Sequence, residues 1–486
     1  MKNGTGLFII VGVILIVAIV YYAPAQIQDT PQQVINETKI TKVAQNSGGG
    51  GGGSEIPQKS VIPPSNLYPN KIKAFYTYES STSSQLNDAI ENGINTFIIK
   101  YGYVNTPNSK ISNVLSSLNG KDVLVIPAIS VNYAPDAEIT AKALYYNEDT
   151  KTMTETNVVP VLNRAYWNKL TEKAKSLAQL SNVDGIFLDF ETYLDYTSAP
   201  FYYSYVGSYD AETFTEFVTA NNLQSLNPPI SESEKLNRYT WIKNNNLQNQ
   251  YALFIREKAK SLAITFEQEV HSVNPNFIIS SYSSPSWSNS RSRYINPLFF
   301  DFYEGWKDSW LFGSDTYGYG YTLGVLPSEF NSKSSFIRKD TNQEYKLKYI
   351  PGALLRYYNP QKFNLIFDMA SKTDGYWLFT SYSLYLTCSQ ATDYYRIPVN
   401  CENDLINPGC CINQWSVTDN YWNTNCCASY PAQVNNYWTA IKKLNTDLNS
   451  DTFSVVNGGV FSKANLGYIV IFIILIGLVK LANKSR

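Results

Sequence analysis

Between residues 68 and 382, eight short apolar runs recur with helical stretches among them, and no other feature constrains the fold so strongly. The runs are 72–78 (IKAFYTY), 94–103 (INTFIIKYGY), 122–131 (DVLVIPAISV), 185–191 (GIFLDFE), 276–283 (NFIISSYS), 298–304 (LFFDFYE), 348–358 (KYIPGALLRYY) and 375–382 (GYWLFTSY). Between them lie stretches with helical character, such as 170–180 and 249–273. Strand and helix in alternation predict an α/β fold, a (β/α)8 TIM barrel. A chain of 486 residues has room for that barrel with insertions.

The connections refine the expectation. Those entering strands are short: LNGK, SNVD, VNPN and SKTD. Those leaving strands are often long, at 133–160, 192–237, 305–345 and 382–435. In such a barrel the loops leaving the strands build the C-terminal face, where substrates are handled. The long loops are rich in tyrosine, as in FYYSYVGSY from Phe201, and the chain holds 38 Tyr and 9 Trp. Flat rings and uncharged hydrogen-bonding groups suit sugars, although an extracellular or thermophilic composition would read the same way. With 39 Lys+Arg against 40 Asp+Glu there is no basic field for a nucleic-acid partner. The single histidine, His271, excludes a metal centre built on several histidines. It also excludes a Ser-His-Asp triad, unless His271 itself supplies the base.

Two apolar runs, 7–23 and 466–482, read as membrane spans at the ends of the chain. The first is equally a signal peptide, with Ala23-Pro24-Ala25 as a cleavage site. Lys2, Lys480, Lys484 and Arg486 would hold both ends at the cytoplasm and place the barrel outside the cell membrane. The expected organisation is an anchor or signal peptide at 1–25 and a Gly/Pro-rich linker at 26–65. The barrel follows at 66–447, with a Cys-rich insertion at 382–435. A juxtamembrane linker at 448–465 leads to a span and basic tail at 466–486, so that the terminal helices contact lipid. All six cysteines, Cys388, Cys401, Cys410, Cys411, Cys426 and Cys427, fall in that insertion. In an oxidising exterior they predict three disulfides in a stapled loop. Six cysteines allow 15 pairings, and about ten remain once immediate neighbours are barred. A thiolate metal site is the alternative.

The run DGIFLDFE, from Asp184 to Glu191, reads as core yet carries two acids. Side chains alternate between faces along a strand. Ile186, Leu188 and Phe190 therefore pack under the helices, and Phe187, Asp189 and Glu191 point to the barrel axis. Asp189 and Glu191 lie within ~7 Å along the strand. Two stacked carboxylates repel, which raises at least one pKa and suits a general acid. The plainer reading is a pair of acids satisfied by Arg or Tyr inside the barrel.

These residues resemble the strand-four signature D-G-x-D-x-D-x-E of family 18 glycoside hydrolases, the chitinase and endo-N-acetylglucosaminidase group. Asp184, Gly185, Asp189 and Glu191 match, and Phe187 stands where the family has an acid. The family's sixth strand carries M-x-Y-D, and DFYE gives Asp301, Phe302, Tyr303 and Glu304. Tyr303 matches and Asp301 departs. Trp377 is placed like the family's tryptophan floor. The resemblance implies Glu191 as general acid/base and a substrate 2-acetamido oxygen as nucleophile, oriented by Asp189 and Tyr303. The catalytic set is then Glu191, Asp189, Tyr303 and Asp301, with Asp301 supplying the carboxylate that Phe187 does not. Substrate would meet Trp377, Glu304, Tyr282, Trp306 and Tyr76. The implied partner is a glycan containing an N-acetylhexosamine, and no cofactor is needed.

Two other readings stand beside this one. A glycosidase could use protein carboxylates directly, with Glu191 opposite Asp301 or Glu304. The D-G-x-x-L-D pattern also occurs in polygalactosaminidase-like families. Alternatively, an inactive barrel could bind glycans or serve a cell envelope, since fold does not fix function.

Overall fold

The computed structural model describes residues 69–131, 139–147, 150–155, 159–189, 209–283, 310–315, 335–338, 343–346, 348–392, 395–399, 408–411 and 417–450. The chain divides into two units, Met1–Val61 and Ile62–Arg486. Every described residue belongs to the second.

Twelve strands are described: β1 (Ile72–Tyr78), β2 (Thr96–Gly102), β3 (Leu124–Ser130), β4 (Leu144–Asn147), β5 (Thr152–Glu155), β6 (Gly185–Asp189), β7 (Ile278–Ser283), β8 (Trp310–Asp315), β9 (Ser335–Arg338), β10 (Gln343–Lys346), β11 (Lys348–Leu354) and β12 (Gly375–Phe379). Eight of them close a barrel in the order β1-β12-β11-β8-β7-β6-β3-β2. Each neighbouring pair in that ring is parallel. The other four form two antiparallel hairpins, β4–β5 and β9–β10, in segments that leave barrel strands.

The main helices are α1 (Ser83–Glu91), α2 (Ser112–Leu118), α3 (Arg164–Ala178), α4 (Ala211–Ala220), α5 (Arg238–Asn244), α6 (Gln248–Val273), α7 (Phe363–Ser371), α8 (Asp419–Asn425) and α9 (Tyr430–Asn449). Their starts follow from capping chemistry. Thr82 and Gln85 form a reciprocal capping box on α1, and Asn163, Asp210 and Thr418 cap α3, α4 and α8. Tyr251, Ile255, Ala259, Leu262, Phe266 and Val270 bury one stripe of α6, the spacing a helix laid on a sheet requires.

The core has two layers. Outward-facing strand residues such as Phe97, Ile99, Ile186 and Leu188 join the helices in one cluster. Inward-facing residues such as Ile98, Ile126, Phe187 and Trp377 fill the barrel as a second. Alternation along 185–189 therefore places Phe187 inside and Ile186 and Leu188 outside, while Phe190 lies beyond the described residues.

The expected architecture needs correction at three points. The sixth barrel strand is β8, not 298–304. Its core residues Trp310 and Phe312 fill the interior, whereas 298–304 lies outside the described residues. Between β8 and β11 the described residues form the β9–β10 hairpin, where a regular (β/α)8 unit would have a helix. The third point is the flanking transmembrane segments. Among the described residues no helix is long and apolar enough to cross a membrane, and 7–23 and 466–482 lie outside them. The transmembrane part of the expected fold, and lipid contact through terminal helices, are accordingly withdrawn.

Candidate active site

The C-terminal ends of the parallel strands form the mouth. Asp189, the last residue of β6, is half-buried there on the same face as Phe187. Strand register runs from Ser130 through Asp189 and Tyr282 to Phe312 across four strands. Asp189 thus stands between a serine and a tyrosine, above an aromatic plug.

Phe187 is the centre of that plug, only 1% exposed. Its ring centroid lies 5.3 Å from Phe312, 6.3 Å from Trp377, 6.4 Å from Tyr282 and 6.5 Å from Tyr76. Trp377 also meets Tyr282 at 5.6 Å and Phe379 at 6.0 Å. Tyr76 meets Phe379 at 4.9 Å. These offset and edge-on contacts suit the ring quadrupoles, and they leave an aromatic floor beneath the mouth.

Three of the expected substrate residues, Tyr76, Tyr282 and Trp377, are therefore brought together with Asp189. Glu191, Asp301, Tyr303, Glu304 and Trp306 lie outside the described residues. Tyr303 and Asp301 were placed on strand six; that strand is β8, so the sixth-strand match to the family is lost.

Asp184 and Gly185 have a different task. The Asp184 carboxylate accepts from the Val125 N–H at 2.9 Å, at the base of the barrel. A Cβ on Gly185 would lie 2.6 Å from Ile278. The SKTDG sequence before β12 repeats this device. The Asp374 carboxylate accepts from the Tyr349 N–H at 2.8 Å, and a Cβ on Gly375 would strike the Ile72 carbonyl oxygen. Half of the DGIFLDFE match thus reports how a strand enters this barrel.

The sequence reading passed over several residues at the mouth. Tyr78, the last residue of β1, packs against Tyr382 at 4.7 Å and Tyr395 at 6.3 Å. Lys100 of β2 reaches over the Tyr78 ring. Alternation along INTFIIKYGY would have found Lys100, because Ile98 and Lys100 share a face. β8 ends at Asp315, in register with Gly352 after an irregularity in the pairing. His271 is structural: its Nε2 lies 2.9 Å from the Phe277 carbonyl oxygen in the last turn of α6.

The cysteine insertion is stapled beside the mouth. Cys388 bonds to Cys427 and Cys410 to Cys426. Cys411 is disulfide-bonded as well, and Cys401 lies outside the described residues. Between the first two staples, Arg396 donates to the Val417 carbonyl and Asp419 and sits over the Trp422 ring.

No family model matches the chain, and no curated protein matches it. Solved structures similar to it include an exo-beta-agarase, at 8% identity and TM-score 0.43, covering 75% of this chain and 46% of that one. A beta-galactosidase from the psychrophilic Marinomonas ef1 aligns at 9% identity and TM-score 0.40, covering 64% and 54%. Alpha-L-fucosidase isoenzyme 2 from Paenibacillus thiaminolyticus aligns at 12% identity and TM-score 0.37, covering 64% and 46%. The chain spans about half the length of each of these proteins. All three names are those of glycoside hydrolases, and likeness at this level assigns neither a family, family 18 included, nor an activity.

Proposed function

We propose that the chain is a glycoside hydrolase working at the mouth of the barrel. The observation that carries this is the half-buried Asp189 standing over the floor of Tyr76, Phe187, Tyr282 and Trp377. Sugar rings stack on such floors, and a carboxylate beside one is placed to act on a glycosidic bond. In this reading Glu191, two residues further along the chain, is the general acid/base. Asp189 orients a 2-acetamido group that serves as nucleophile. The substrate is then a glycan containing an N-acetylhexosamine. The stapled cysteines favour an oxidising compartment, outside the cell, as its place of work.

One observation favours a second route. β8 ends in an acidic residue, Asp315, whose backbone pairs with Gly352 of β11 near the C-terminal ends of the strands. A glycosidase using protein carboxylates directly would take its second one from Asp315 in place of Asp301 or Glu304.

Incubating the full-length chain with N-acetylglucosamine oligomers and with oligomers lacking the acetamido group separates the routes. Substrate assistance expects cleavage of the first set alone, and loss of at least a hundredfold in kcat for Glu191→Gln. Cleavage of both sets, abolished by Asp315→Asn, selects the direct route. Saturable binding without cleavage of any oligomer leaves a glycan-binding barrel and ends the enzyme reading.

A further inference from the structure

Lys100 sits oddly for a residue of a barrel wall. Phe97, Ile99 and Tyr101 of β2 pack outward under the helices, and Ile98 packs inward. Lys100 follows Ile98 on the inward face, opposite Tyr78 in register. Its side chain is exposed, and its ammonium lies 5.3 Å from the Tyr78 ring centroid. It makes no ion pair with any described carboxylate, unlike Lys110, Lys175 or Lys258. Directly after it the strand bulges: Lys100 pairs with Ala128, but Gly102 pairs with Ile129. Gly102 holds φ at +127°, and a Cβ there would lie 2.7 Å from Thr106 Oγ1. Bulges at barrel rims bend a strand end and re-aim the side chains beside it.

The ring beneath the ammonium belongs to a set of three. Tyr382 lies 5.1 Å from Tyr395, and the Tyr78 and Tyr395 hydroxyls are 3.1 Å apart. A cation, two hydroxyls and flat rings therefore converge at one side of the mouth. Holding a long lysine side chain there costs rotamer freedom and returns no ion pair with a described acid. An anion arriving with the substrate would meet an exposed ammonium already aimed over the Tyr78 ring.

We propose that Lys100, with the hydroxyls of Tyr78 and Tyr395, forms an anion-accepting subsite, and that the glycan entering this mouth carries carboxylate or sulfate groups. The proposal rests on the glycan reading above and adds a substrate class to it. The ammonium meets the anion, one hydroxyl of the hydrogen-bonded Tyr78–Tyr395 pair donates to its oxygens, and the tyrosine rings cover a sugar face.

Calorimetric titration of the full-length chain at low ionic strength tests it with four probes. These are a galacturonic acid tetramer and its methyl ester, and a carrageenan tetrasaccharide and its desulfated form. One charged probe should bind about tenfold tighter than its neutral counterpart, the strength of a single charge-assisted contact. Which pair shows the difference tells carboxylate from sulfate. Lys100→Gln should remove the preference, leave the neutral form's affinity unchanged and keep the thermal midpoint. Tyr395→Phe should remove part of it, and added salt should weaken it. Equal affinity for charged and neutral probes, or a preference that survives Lys100→Gln, overturns the subsite and leaves the glycan reading standing. Binding of none of the four overturns the subsite too, and the acetamido-oligomer panel then decides the glycan reading by itself.

Discussion

Phe187 shows how one residue sets the chemistry of its surroundings. A carboxylate at that position would be surrounded by Tyr76, Tyr282, Phe312 and Trp377, with no water to solvate its charge. The aromatic plug and an acid at 187 exclude each other, so Phe187 belongs to a packed set of rings. Phe187→Asp should destabilise the fold by about 3–5 kcal/mol, the range for removing a buried ring, with a further cost as pH rises above about 4, where the unfolded chain's carboxyl ionises while the buried one keeps its proton. Urea unfolding at pH 4 and pH 7 checks this; equal stability of the variant at both, close to the parent, would show that the site is wetter than its packing indicates. The faces of Phe187, Ile186 and Leu188 were legible from strict alternation. The same rule, applied to β2, would have exposed Lys100. The duties of Asp184 and Gly185 were not legible, because they depend on contacts with Val125 and Ile278, far away in the chain.

Among the elements, the strands with continuous apolar runs could be read directly, and β8 could not. Its sequence, WLFGSD, contains glycine and aspartate, which local propensity scores against a strand, and its pairing with β11 is irregular. The more strand-like LFFDFYE drew the assignment away. Closing the ring against β7 and β11 is a tertiary requirement that outweighs local preference. The cysteine insertion was legible in the opposite sense: clustering predicted staples, but the partners needed the fold. Cys410–Cys426 closes 16 residues and Cys388–Cys427 closes 39. Loop-closure entropy gives these bonds about 3 and about 4 kcal/mol of stabilisation. Tyr395 and Arg396 lie between the bonded ends, so the staples hold part of the mouth. Replacing Cys388 and Cys427 together by alanine should speed amide exchange in 395–399 and in α8 by at least tenfold, and leave α3 and α6 as they were. Exchange that quickens evenly across the barrel would show that the insertion is part of one cooperative core.

At the scale of the whole molecule, closure of the ring depends on where its first and last strands meet. β1 pairs with β12, and α9 lies across that seam. The Tyr376 hydroxyl donates to Asn445 Oδ1 at 2.6 Å, Asn445 Nδ2 donates to the Asn92 carbonyl at 2.8 Å, and Lys73 Nζ donates to the Asn445 carbonyl at 3.1 Å and to Asn449. Lys73 is a strand residue on the outward face, buried with neutral partners. Burial lowers its pKa from 10.5 to about 8. The unfolded chain therefore keeps this proton up to about pH 10.5, while the folded chain releases it near 8. Between those values the unfolded state binds more protons, so the Lys73 contribution to stability must rise with pH. Below pH 8 both states hold the proton and the contribution is flat. Tyr376, whose pKa burial raises, acts with the opposite sign, but only above pH 10, where the unfolded chain ionises first. Burial lowers the Lys173 pKa as well, but Lys173 is common to parent and variant, so their difference isolates Lys73. Urea midpoints for the parent and for Lys73→Met should differ by a constant amount from pH 6 to 7.5, and the parent should then gain on the variant at pH 8.5, 9 and 9.5. Parallel profiles throughout would mean that Lys73 stays solvated in the folded chain, and that the seam between first and last strand is looser than the bonds around Asn445 imply.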